Sequence, residues 1–311
     1  MEMSAIEFER IQGWIHRNAR PLDFARWRFH FEEGSREDVL KTLAAFQNLD
    51  GGFGHALEPD SWNPASSPLQ TSTAVALLDE IGFDDAEHPV VQGMLKYLHS
   101  GCDFTDGRWR LTIPSNDLFA HAPWWSCGSD APDRSDFNPT AILVGFLLRF
   151  DDCTSDAYAK TVDLARVLLD AFLDGEPLDF HPLASVISLL DAVAEAGLQD
   201  VLPHAKAAAT ARRRADALIV RDPTKWTGYA CRPSWFVRAS DSPFLQGNEA
   251  VLERELDFLL ETRNAQGVWD ISWTWGAYPR EFAISEKWWK ADVALRNLHL
   301  LREFDRLVYR P

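Results

Sequence analysis

The fold turns on Phe46–Gln47–Asn48–Leu49–Asp50–Gly51–Gly52–Phe53–Gly54. An amphipathic helix leads into it. Val39, Leu40, Leu43, Phe46 and Gln47 fall at helical spacing, and Ser35 with Asp38 makes a capping-box start, so a helix is predicted over Ser35–Asn48. Three glycines then break the helix and let the backbone fold where a Cβ would clash. Phe53 supplies an aromatic anchor for the next layer. Ser67–Pro68 opens a second helix, with proline at the first helical position, where its missing N–H costs nothing. Ala74, Leu77, Leu78 and Ile81 form its buried stripe, and Gly82 ends it. The unit is helix, Gly–aromatic turn, Pro-started helix.

That grammar recurs. Arg263–Asn264–Ala265–Gln266–Gly267–Val268–Trp269 reads as a second copy, and Asp106–Gly107–Arg108–Trp109 as a degenerate third. The glycines at 51, 107 and 267 leave a second interval close to three times the first, and X–Pro starts at 68, 139, 182 and 233 run alongside. Further helices are predicted over Ile6–Asn18, a short stretch through Trp27 and Phe31, Val90–Leu98, Thr140–Phe150, Ser155–Leu173, Leu183–Ala196, Val201–Ile219, Asn248–Thr262 and Ser285–Phe304. Almost no alternating pattern of a half-buried strand is present.

A Gln followed by Gly-x-aromatic at the end of an outer helix, here Gln47…Gly51–Gly52–Phe53, resembles the squalene-cyclase-type repeats of the terpenoid cyclase and protein prenyltransferase superfamily. The resemblance implies an all-α chain of five or six helical hairpins closed into an α/α toroid, one domain over residues 1–311 with no dividing linker. It also implies that these residues staple neighbouring repeats. The bland alternative is an open helical solenoid.

Bulk properties exclude several classes. A net charge of −16 argues against a nucleic-acid partner and against attraction to anionic lipid. Cys102, Cys127, Cys153 and Cys231 are widely spaced with no CxxC pair, which favours reduced thiols and a cytoplasmic location. The opening Met1–Arg10 is polar and acidic, so no signal peptide is expected, and no apolar run approaches membrane-spanning length. No phosphate-cradling Gly loop, dinucleotide fingerprint or Gly-x-Ser-x-Gly elbow is present, and no cofactor is expected.

In a toroid, the loops leading into the inner helices gather at one mouth. Here those loops are Gly54–Ser67, Ser100–Phe137, Gly175–His181, Trp226–Arg232 and Asp270–Ser285. They carry the candidate acids and bases His55, Glu58, Asp60, His121, Asp270 and Glu281. They also carry the candidate binding aromatics Trp62, Trp124, Trp125, Tyr229, Trp273 and Trp275. A carboxyl desolvated among aromatics has a raised pKa and can protonate an alkene or a glycosidic oxygen. Aromatic faces stabilise cations and stack on sugar rings. The plainer readings are that each acid caps or salt-bridges a loop, and that each Trp plugs the interior.

The resemblance does not carry its chemistry across residue by residue. No Asp-x-Asp-Asp acid motif opens an inner helix. Asp84–Asp85 lies past Gly82 in a turn, and Asp151–Asp152–Cys153 has prenyltransferase zinc spacing but follows a helix instead of starting one. No Asp-rich magnesium pair is found, and Cys127 with His121 is two ligands, not a metal site. Three functions stay open. The first is a cyclase- or prenyltransferase-like enzyme handling an isoprenoid or other apolar small molecule in a Trp-lined cavity, with Glu58 or Asp60 as general acid. The second is a carbohydrate-active toroid using Asp60 with Asp270 or Glu281. The third is a non-catalytic module. Oligomeric state is not encoded in any motif.

Overall fold

Short polar caps and prolines decide where the helices begin. Ser4 accepts from the Glu7 amide while Glu7 accepts from the Ser4 amide, Ser67 accepts from Gln70 N, and Ser155 from Tyr158 N, each satisfying an otherwise orphaned first-turn donor. The structure, a computed structural model, describes residues 1–128 and 137–308. It is 59% helix and 4% strand, an all-α protein. In chain order the helices are α1 (Ala5–Asn18), α2 (Pro21–Phe31), α3 (Arg36–Leu43), α4 (Pro68–Glu80), α5 (Pro89–His99), α6 (Phe137–Phe150), α7 (Asp156–Asp174), α8 (Phe180–Glu195), α9 (His204–Leu218), α10 (Glu249–Glu261) and α11 (Pro279–Glu303). The strands β1 (Phe104–Thr105) and β2 (Arg108–Trp109) form one small antiparallel hairpin. No helix among the described residues is long and apolar enough to cross a membrane.

By its internal contacts the chain forms two compact units, residues 1–42 with 215–311, and residues 43–214. In the second unit α6 is the hub. It packs above all on α8, and also on α4 and α7. Leu143, Val144, Phe146, Leu147 and Leu148 are all buried, so the helix is apolar around its circumference, as an element with neighbours on every side must be. Each such side chain contributes about 1.5–3 kcal/mol relative to exposure. In the first unit α11 packs on α1, α2 and α10. The chain ends pair there: Met3 N donates to Arg306 O at 2.8 Å and Val308 N to Met3 O at 3.0 Å.

The two copies of the Gly–aromatic turn share their backbone hydrogen bonds. Asn48 N donates to Gly52 O and Gly51 N to Asn48 O; Asn264 N donates to Val268 O and Gly267 N to Asn264 O. The glycines share a left-handed backbone, φ 96° at Gly51 and 92° at Gly267. Phe53 and Trp269 are both buried. Each turn backs onto one helix. Lys96 Nζ on α5 donates to Leu49 O, and Arg10 Nη2 on α1 donates to Ala265 O. A Cβ on Gly51 would stand 1.9 Å from Gly93 O on α5, and one on Gly267 would stand 3.1 Å from Arg10 Cδ. Gln47 Nε2 donates to Gly51 O and to Val90 O on α5, both at 2.9 Å. At the matching position Arg263 reaches Glu7 on α1.

Several expectations are corrected. The first helix of the motif stops at Leu43. A 3-10 turn, Ala44–Phe46, follows, and Gln47 is extended, which frees its side chain to reach α5. The third copy, Asp106–Gly107, is the tip of the β1–β2 hairpin. Both residues have positive φ, as a type I′ turn demands, so it is not a helix-end turn. The helix expected from Leu183 starts three residues earlier at Phe180, capped by Asp179. The segment opened by Arg232–Pro233 is a single 3-10 turn, Pro233–Trp235. The last helix starts at Pro279, six residues before Ser285. Of the loop expected over Ser100–Phe137, positions 129–136 lie outside the described residues.

Candidate functional site

In residues 43–214 the candidate acids lie on a loop pinned at both ends. Phe53 bridges to Gln47 on one side and to Ser67 on the other. Between them His55 and Ala56 take left-handed backbone, φ 59° and 61°. That costs about 1–2 kcal/mol per residue bearing a Cβ. Buried amides hold the loop in that shape. Leu57 N donates to Gln70 Oε1, Gln70 Nε2 to Asn63 O, Asn63 Nδ2 to Asn116 Oδ1 at 2.9 Å, and Asn116 Nδ2 to Trp125 O at 3.0 Å. His55 is exposed, and its Nε2 meets Asn48 Oδ1 at 2.9 Å, a partner within the turn.

This network brings the 58–62 segment against 119–125. Trp62 N donates to Ala120 O and Ala122 N to Asp60 O, with Ser61 opposite His121. Asp60 and Trp62 flank Ser61 in this pairing. The His121 ring donates through Nδ1 to Phe119 O at 2.7 Å, with Nε2 3.6 Å from Asp117. Asp117 also accepts from Ser126 Oγ and the Cys127 amide. Asp60 is 2% exposed; Glu58 is half-buried. Trp124 and Trp125 occupy a 3-10 turn after Pro123. Trp124 is partly exposed, and the Trp125 Nε1 donor is buried without an acceptor among the described residues.

In residues 1–42 with 215–311 the remaining candidates separate into two kinds. Trp275 is buried against Phe282, so the plug reading describes it. Tyr229 and Trp273 belong to an aromatic series that remains half-open, with Trp235 and Trp289 at its ends. Asp270 is exposed, with Lys290 Nζ at 2.8 Å and Asn264 Nδ2 at 2.9 Å; these bonds hold its carboxyl below the usual carboxylate range. It is an anion at neutral pH and cannot serve as a general acid there. Glu281 is not in a loop: it sits in the first turn of α11, where the helix dipole favours a carboxylate.

The sequence reading missed two buried acids. Asp23 is fully buried on α2, with Arg20 Nε at 2.8 Å and Arg26 Nη1 at 3.0 Å; Arg26 also meets Asp292 at 3.0 Å. Burial pushes the Asp23 carboxyl up, and the two guanidiniums pull it back. The Arg–x–x–Asp–x–x–Arg spacing puts all three on one helix face, and that was the available signal. Glu255, also fully buried, accepts from Ser234 N at 2.9 Å and Ser234 Oγ at 2.5 Å, beside Arg232. It fixes the Pro233–Trp235 turn, and burial pushes its carboxyl up as well. In comparisons with protein-family models, curated proteins and solved structures, none matches this chain.

Proposed function

We propose that the chain closes into an α/α toroid and acts as a terpenoid-cyclase-like enzyme on an isoprenoid or other apolar small molecule, with Asp60 as general acid. The repeat grammar supports that reading: within residues 43–214 the turn at Gly51 backs onto α5, and within residues 1–42 with 215–311 the turn at Gly267 backs onto α1.

The observation that carries the catalytic reading is the placement of Asp60, 2% exposed and two residues before Trp62 in the segment that pairs with 120–122. In this reading the Asp60 carboxyl delivers a proton to an alkene carbon, and a nearby indole steadies the cation formed. Loss of a proton from the cation then completes an isomerisation or cyclisation with no co-reactant. Glu58, in the same turn, is the alternative donor.

The test incubates the purified protein with a linear triterpene, prenyl diphosphates and a panel of glycosides, with products read by mass spectrometry. The expected result is conversion of a polyene that falls about 100-fold or more in Asp60→Asn, with far-UV circular dichroism unchanged. Undiminished conversion by Asp60→Asn, or hydrolysis of a glycoside alone, overturns the reading.

A further inference from the structure

Asp–Gly occurs three times in the chain, at Asp50–Gly51, Asp106–Gly107 and Asp174–Gly175. The pair carries its own chemistry. Glycine puts no side chain beside its amide, so that nitrogen can reach the carboxyl carbon of the preceding aspartate and close a five-membered imide. Two of the three amides are already engaged. Gly51 N donates to Asn48 O at 2.9 Å and Gly175 N to Ala171 O at 3.0 Å. Both glycines are also crowded: a Cβ would stand 1.9 Å from Gly93 O at Gly51, and 2.7 Å from Ala171 O at Gly175. The Asp50 carboxylate is held as well, by Gly52 N at 2.9 Å and Ser66 Oγ at 2.6 Å.

Asp106–Gly107 has none of these restraints. It is the two-residue tip of the β1–β2 hairpin, with φ 52° and 78°. Among the described residues Gly107 N meets no acceptor, and the exposed Asp106 carboxylate meets no donor. A Cβ on Gly107 would have nothing within 4 Å, so the tip stands clear of the fold. Local opening costs least at such a tip, where no native bond has to break first.

We propose that Asp106 is a site of spontaneous isomerisation to isoaspartate, selected by the fold over the two other Asp–Gly pairs. Gly107 N attacks Asp106 Cγ. The C–N bond forms, the C–OH bond of the protonated carboxyl breaks, and the amide proton leaves with the hydroxyl as water. Water then opens the imide. Addition at the main-chain carbonyl leaves the chain running through Asp106 Cβ and Cγ; addition at Cγ restores aspartate. The first outcome adds a methylene to a two-residue turn that has no slack. It strains Trp109 at the far end of β2, which is buried and donates from its amide to Thr140 Oγ1 on α6 at 2.9 Å. The site goes beyond the Asp60 reading and does not rest on it.

The test ages the purified full chain at physiological temperature and mildly acidic pH, with a parallel sample in concentrated urea. Isoaspartate is quantified at each pair by peptide mapping with electron-transfer fragmentation. In the folded chain Asp106 is expected to gain isoaspartate at least ~10-fold faster than Asp50 or Asp174, whose glycine amides must first leave native hydrogen bonds. In urea, where those bonds are gone, the three rates are expected to converge within ~3-fold. The aged folded chain is expected to unfold at a lower temperature than the fresh chain. Equal rates at the three pairs in the folded chain overturn the proposal, as does an Asp106 that stays unaltered there. A preference for Asp106 that persists in urea overturns selection by the fold and assigns it to the flanking residues. An unchanged unfolding temperature overturns the strain on Trp109.

Discussion

Gln47→Ala tests the feature on which the fold turns. The Gln47 amide donates two hydrogen bonds of 2.9 Å, to Gly51 O within the turn and to Val90 O on α5. Val90 O lies in a helix and keeps its i+4 backbone partner, so that loss is the net value of one hydrogen bond, about 1 kcal/mol. Gly51 O is buried and takes no other donor among the described residues, so stranding it costs about 1–3 kcal/mol. The expected destabilisation is about 2–4 kcal/mol, or roughly 4–8 °C in Tm at about 2 °C per kcal/mol for a chain of this size. Differential scanning calorimetry reads the shift. Gln92→Ala is the matched control, because its amide makes one exposed bond to Ala86 O and should cost no more than about 0.5 kcal/mol. Gly51→Ala should be worse than Gln47→Ala, since its Cβ would meet Gly93 O at 1.9 Å and its φ of 96° suits only glycine. A Gln47→Ala midpoint indistinguishable from that of Gln92→Ala would refute the staple.

Asp23→Asn leaves Arg20 and Arg26 buried without their shared anion and should destabilise by about 3–5 kcal/mol in urea titration. Tyr97→Phe should be neutral or stabilising by about 1 kcal/mol, because its hydroxyl is buried with no hydrogen-bond partner among the described residues; a clear loss of stability contradicts this. Glu7 titrates at about 2, with the Ser4 backbone and side chain as the largest causes and Arg263 next. Since its folded-state value lies below the unfolded one near 4.5, its contribution is full above about pH 4.5 and is lost as pH falls toward 2. Carboxyl carbon NMR should show Ser4→Ala, which removes the hydroxyl and keeps the backbone donor, raising that midpoint part of the way toward 4.5; an unchanged midpoint would refute the hydroxyl's share.

The parts of this architecture legible in the sequence are those set by local backbone rules. Glycine at 51 and 267, proline after Ser67 and the Ser35–Asp38 box each answer a constraint that acts within four residues, and each is realised. Asp106–Gly107 failed the same test because a two-residue hairpin makes the same demand for positive φ as a helix-end turn. The start of α11 was misplaced because Trp273, Trp275 and Tyr278 look like loop residues, yet Pro279 already fixes the first helical turn. In the candidate sites, Asp60 and Trp62 were found as residue types, but the polar lattice of Asn63, Gln70 and Asn116 was not. Its members lie up to 53 residues apart, and single Asn and Gln residues carry no spacing signature.

The two staples differ in a way that chain entropy explains. Gln47 closes a separation of 43 residues with a neutral amide, whereas Arg263 reaches back 256 residues to Glu7. Loop-closure entropy makes the longer contact costlier by about 1.6 kcal/mol, from (3/2)RT times the logarithm of that ratio. The longer seam carries correspondingly more bonds: the Glu7–Arg263 ion pair, Arg10 to Ala265 O, Trp14 Nε1 to Gln266 Oε1 at 3.0 Å, and the Met3–Leu307 pairing. The ion pair cannot be the main offset, because Glu7 is 41% exposed and salt screens such pairs to well under 1 kcal/mol. The neutral contacts must then hold the seam. Trp14→Phe should cost about 1 kcal/mol at both low and high salt, while the smaller cost of Arg263→Met should shrink as salt rises. A seam held by charge would give the opposite pair of results, with Trp14→Phe silent and Arg263→Met dominant at low salt.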